Sequence, residues 1–160
     1  MNKEKTRKLV LGVLLATFAF YCFVLLIRLF VDGRYYMSFA ERFKRANLIP
    51  LATLYDYAIK LVNDRINVST VIYNIFGNLI AFFPMGCYLP CIFQKMRKAK
   101  MFCVAVLTIL VAVEVLQMIL GVGLFDIDDI ILNFAGAIVG WGVVHIPVIN
   151  RLLNKIYVYR

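Results

Sequence analysis

The stretch Glu114–Gly140, EVLQMILGVGLFDIDDIILNFAGAIVG, decides the fold. It is mostly apolar, yet it holds Glu114 and Gln117 within a helical run, then Asp126, Asp128 and Asp129 at a turn, then Asn133. An Asp placed centrally in a membrane helix costs roughly 2.5–3.5 kcal/mol on insertion scales. In the folded protein a partner helix or a bound ligand must offset groups of this kind.

The rest of the chain sets those groups in a membrane. Of 160 residues, 63% are hydrophobic and the mean hydropathy is +0.84, which excludes an ordinary soluble domain of this size. The length suits a single domain over residues 1–160. The net charge of +9 comes from short basic clusters beside apolar spans, a pattern of membrane topology rather than a nucleic-acid footprint. Cys22, Cys87, Cys91 and Cys103 all fall in apolar spans and form no CxxC, so buried free thiols are expected rather than a redox or zinc site.

Working outward, residues 9–31 form an apolar run long enough to cross the bilayer and lack a small-residue cleavage site, so an uncleaved first helix is expected. Further spans follow at about 69–93, 101–122 and 129–149. Residues 32–68 are the long loop. Within it Leu51, Leu54, Tyr55, Ala58, Leu61 and Val62 share one helical face after Pro50, which predicts an amphipathic surface helix over 51–64. The expected fold is therefore all-α: four transmembrane helices plus an extracytoplasmic amphipathic loop helix. Lys and Arg number four before the first span, four in 94–100 and three in the tail, whereas the long loop mixes six with four acids. The positive-inside rule then places both termini in the cytoplasm and the long loop and acidic turn outside.

With that orientation, the polar groups of three spans fall in the outer leaflet. Asn74 and Asn78 are four apart on the second span, and Glu114 and Gln117 three apart on the third. Asp126, Asp129 and Asn133 share a face of the fourth, continued by the Gly136-xxx-Gly140 spacing that permits close helix approach. These residues predict an outward-facing polar pocket. Blander roles stand beside that one: Asn74 and Asn78 as interhelical hydrogen-bond partners, Asp126 and Asp128 as caps of the fourth helix. Glu114 resists such a reading, because a carboxyl at that depth is protonated, paired with a cation or functional. Arg42, Lys44 and Arg45 in the loop are the nearest cations by topology. Pro84 inside the second span predicts a bend, and His145 lies toward the inner end of the fourth, away from the carboxylates.

Four ordered blocks now carry a resemblance: Arg45-x-Asn47-Leu48-Ile49-Pro50; Asn74-x-x-Gly77-Asn78 with Phe83-Pro84-x-Gly86; Glu114-x-x-Gln117; and Asp126-x-Asp128-Asp129-x-x-x-Asn133-x-x-Gly136. Over about residues 45–140 the chain resembles the VanZ-like family of small membrane proteins. That family is named for a protein of Gram-positive bacteria associated with low-level resistance to teicoplanin, a lipoglycopeptide that binds cell-wall precursors. The resemblance implies Arg45, Asn47, Asn78, Glu114, Gln117, Asp126, Asp128, Asp129 and Asn133 as motif residues, without roles, and a bacterial cytoplasmic membrane as the location.

Three functions are compatible with these residues. In the first, the pocket, with Arg45 and Asn47 closing over it, binds a lipid-linked cell-wall precursor or a lipoglycopeptide head group. In the second, Asp126, Asp129 and Glu114 hold a divalent cation such as Mg2+ or Ca2+ that polarises a lipid-linked phosphate, with Glu114 the candidate catalytic base; no familiar nucleophile motif supports this. The third is a homodimeric proton-coupled transporter with Glu114 as the proton carrier; the lopsided placement of polar groups argues against it.

Overall fold

A computed structural model describes residues 3–31 and 36–155. Its order is α1 (Lys3–Phe30), α2 (Phe39–Lys44), α3 (Ala52–Val62), α4 (Val68–Ile92), a 3-10 turn (Gln94–Arg97), α5 (Ala99–Leu120), α6 (Ile127–His145) and α7 (Pro147–Lys155). α1, α4, α5 and α6 are long and apolar enough to cross a membrane, so the protein is a multi-pass membrane protein. Among the described residues there is no strand, only an isolated bridge between Asn47 and Asp126. Arg160, counted above in the basic tail, lies outside the described residues.

α4 and α6 are the most extensively paired elements, and the reason is a set of glycines. A methyl built on Gly136 would overlap the Leu79 carbonyl; one on Gly140 would overlap that of Phe83, and one on Gly86 that of Ala137. Only hydrogen at these positions lets the two backbones meet, the small-residue packing that associates helices where lipid removes the hydrophobic drive. α4 runs unbroken through Pro84 and Pro90. Phe82, Phe102, Val106 and Leu110, each almost fully buried, fill the α4–α5–α6 core. α1 lies against α4 from outside, where Phe18 and Tyr21 pack on Tyr88 and the Tyr21 hydroxyl donates to the Ala81 carbonyl at 2.7 Å.

Element ends differ from the sequence expectation in three places. α1 begins at Lys3, because its basic residues are good helix formers and Glu4 pairs with Lys8 at 2.8 Å. The fourth span stops at His145 rather than 149: Pro147 forces Ile146 to an extended ψ of 130°, and α7 starts afresh. The loop holds an unforeseen α2, nucleated by a capping box in which Ser38 Oγ accepts the Glu41 N–H and the Glu41 carboxylate accepts the Ser38 hydroxyl and N–H. Those bonds, the hydroxyl first and the backbone N–H next, hold the Glu41 carboxyl below its ordinary range. The stability it lends is therefore full above that range and fades as pH falls through the lowered value. The amphipathic helix is present as α3, with Leu54 and Leu61 half-buried and Tyr55 and Val62 exposed.

Candidate functional site

One end of the bundle gathers the polar residues. There the acidic turn between α5 and α6 meets the loop: the Asn47 N–H donates to the Phe125 carbonyl at 2.8 Å, and the Ile127 N–H to the Asn47 carbonyl at 3.0 Å. Asp126 caps α6 by accepting the Asp128 N–H at 2.8 Å. Its oxygens also accept Asn47 Nδ2 at 2.9 Å and the Thr53 hydroxyl at 2.7 Å, and Thr53 accepts Asn47 Nδ2 at 3.0 Å.

Asp128, 1% exposed, caps a different helix. It accepts the N–H groups of Leu51 at 2.5 Å, Thr53 at 2.8 Å and, more distantly, Leu54 at 3.4 Å, so it serves the N-terminus of α3 rather than that of α6. A carboxylate suits those orphan donors and the positive end of the helix dipole. It also holds Leu51 at φ 68°, a left-handed conformation that a residue bearing a Cβ adopts at roughly 1–2 kcal/mol. Asp126 and Asp128 together therefore latch the loop onto α6.

Deeper along α5 and α6 lies a second group. Glu114, 5% exposed, accepts the Asp126 N–H at 3.1 Å through Oε2. Asp129 accepts Asn78 Nδ2 from α4. Asn133, one turn beyond Asp129 on the same face, is 5% exposed, and its Oδ1 is buried without any hydrogen-bond partner. Buried polar atoms are nearly always satisfied, so this acceptor is open to a donor, whether an ordered water or a ligand. None of Glu114, Asp126, Asp128 and Asp129 forms an ion pair with a Lys or Arg among the described residues. The group thus gathers several side-chain oxygens, of which Asn133 Oδ1 has no donor.

The remaining expected residues stand apart. Asn74 is exposed on α4, Arg45 is exposed at the end of α2, and Gln117 Nε2 donates to the Leu29 carbonyl at 2.8 Å, pinning α1 to α5. Among the described loop residues Arg42, not Arg45, is the buried cation, and it binds carbonyls of α5 rather than Glu114. Among the described residues no three His, Cys, Asp or Glu side chains gather closely enough to hold a metal ion. The trio Asp126, Asp129 and Glu114 is split because Asp126 faces Asn47 and Thr53 while Asp129 faces Asn78. His145 stacks on Trp141 with ring centres 3.8 Å apart, and the Trp141 indole N–H donates to the Met96 carbonyl at the opposite end of the bundle. Thr53 was missed from sequence; a threonine in a first helical turn carries no signal that it reaches another helix's cap.

A family model described as VanZ/LLP1 matches residues 13–149, adding most of α1 to the blocks quoted above. No curated protein and no solved structure matches the chain.

Proposed function

The chain belongs to the VanZ/LLP1 family, and from that premise we propose that it binds a lipid-linked cell-wall precursor or a glycopeptide-type ligand and thereby contributes to teicoplanin resistance. The binding group is Glu114, Asp129, Asn133 and Asn78, held under the latch that Asn47, Asp126 and Asp128 make with the loop. Arg45, exposed on that loop, meets the ligand from outside. The protein sits in a bacterial cytoplasmic membrane with both termini in the cytoplasm, so that the polar end faces the cell wall; the Lys and Arg distribution supports this orientation.

The observation that supports the reading is the orphaned Asn133 Oδ1, one turn from Asp129, a carboxyl that pairs with no Lys or Arg among the described residues. Both cell-wall precursors and glycopeptides are rich in amide and hydroxyl donors, and a site that hydrogen-bonds such donors discriminates strongly because its own polar atoms are otherwise left unpaired. The test is teicoplanin and vancomycin susceptibility in a sensitive Gram-positive host expressing wild type, Glu114→Gln, Asp129→Asn or Arg45→Ala at matched membrane levels. Wild type raises teicoplanin tolerance and the variants lose it. Four strains indistinguishable from empty vector overturn the proposal.

A further inference from the structure

A second feature of the same end lies where the C-terminal ends of α1 and α5 meet α2. A cavity of about 450 Å³ there is walled by Phe30, Val31, Tyr36, Leu120 and Val122, with Arg42 as its charged member. Arg42 is only 9% exposed. Its Nε donates to the Met118 carbonyl at 2.9 Å, Nη1 to that of Met37, and Nη2 at a long 3.4 Å to that of Ile119. Those bonds engage at most three of the five N–H donors a guanidinium carries. Every acceptor is a neutral carbonyl. The C-terminus of α5 offers about half a charge of compensation, and among the described residues no carboxylate pairs with Arg42. A buried cation that no described carboxylate neutralises is expensive, and a cavity at its side is room for an anion.

The position of the cavity selects the anion. Gly121 ends α5 at φ 73°, and a methyl there would stand 3.0 Å from Arg42 Nη1, so the glycine lets the guanidinium lie against the helix end at the cavity wall. Val31 and Leu120 are 65% and 62% exposed at the ends of spanning helices, on apolar surface that continues along α1 and α5 into the lipid. We propose that this cavity holds the phosphate of an anionic membrane lipid, with Arg42 donating to the phosphate oxygens and the acyl chains lying along α1 and α5. A guanidinium fork matches phosphate geometry and forms its stronger, charge-assisted bonds there. The site is separate from the Glu114–Asn133 group and does not depend on the ligand assigned to that group.

Native mass spectrometry of the full-length protein in detergent tests it, using dioleoylphosphatidylglycerol, the phosphate-free dioleoylglycerol, and inorganic phosphate in excess. Wild type retains phosphatidylglycerol, does not retain dioleoylglycerol, and keeps its lipid when inorganic phosphate is added. Arg42→Gln weakens retention about tenfold through loss of charge-assisted bonds. Because Arg42 also anchors α2, Leu120→Trp is the deciding variant: it adds bulk at the cavity wall without removing any bond of Arg42, and it too weakens retention. Retention by Leu120→Trp equal to wild type overturns the proposal. So does equal retention of dioleoylglycerol, which would mean apolar adhesion only, or displacement by inorganic phosphate, which would mean a free-anion site.

Discussion

Asp128 shows how far a single side chain's role departs from its place in the sequence. It sits in the first turn of α6, where a carboxylate ordinarily serves its own helix, yet its oxygens accept backbone N–H groups of Leu51, Thr53 and Leu54 at the start of α3. Asp128→Ala leaves those donors without an acceptor, and each buried donor so orphaned costs about 1–3 kcal/mol. The expected outcome is a lower midpoint of thermal unfolding by circular dichroism in detergent, with faster tryptic cleavage after Lys60 or Arg65 as the loop comes away. Asp128→Asn keeps an acceptor and falls between. Unchanged cleavage in Asp128→Ala would mean that α3 is held by something other than this latch. The sequence made the three aspartates stand out as a group and left open whether Asp126 and Asp128 cap a helix. It did not show that they cap two different helices, because the partners of Asp128 lie some seventy-five residues away, and the apolar face that marks α3 does not say which element caps its start.

Helix pairing was more legible. The Gly136-xxx-Gly140 spacing pointed to a close approach, and α4 supplies it through the carbonyls of Leu79 and Phe83. Which helix approaches was not readable, since an apolar face in lipid fits any neighbour equally well. Gly136→Ala drives a methyl into the Leu79 backbone and forces α4 and α6 apart, with a loss of about 1–3 kcal/mol by the ordinary penalty for overpacking. Gly142, one position outside the contact, has open space around its would-be Cβ, so Gly142→Ala leaves stability unchanged or raises it by up to about 1 kcal/mol through helix propensity. The pair is read side by side in the same unfolding assay; equal behaviour of the two variants contradicts the packing described. The missed α2 shows the opposite case. Six residues are too few for an amphipathic period to register, and a Ser38-x-x-Glu41 spacing does not by itself call for a helix.

For the whole molecule, four spans and a surface helix follow from hydropathy and length, and these the sequence carried almost unaided. Span ends were less secure: apolar residues continue past His145, and only the backbone restriction imposed by Pro147 ends α6 there. Sidedness rests on charge and has a direct check. In a background with Cys22, Cys87, Cys91 and Cys103 replaced, Lys60→Cys is expected to react with an impermeant maleimide in intact cells, and Lys95→Cys only after permeabilisation. The reverse pattern would turn the polar end toward the cytoplasm and remove any role at the cell wall.

Whether the polar group around Asn133 is a working site or a structural one is decided most directly by Asn133→Leu. Replacing a buried amide whose oxygen has no partner by an apolar group of similar size is near neutral or stabilising, so a purely structural Asn133 predicts intact folding and intact function. The measurement is teicoplanin tolerance of Asn133→Leu against wild type at matched membrane levels, with thermal unfolding recorded on the same two proteins. The expected result is a midpoint equal to or above wild type together with loss of tolerance. Wild-type tolerance in a well-folded Asn133→Leu protein would contradict it.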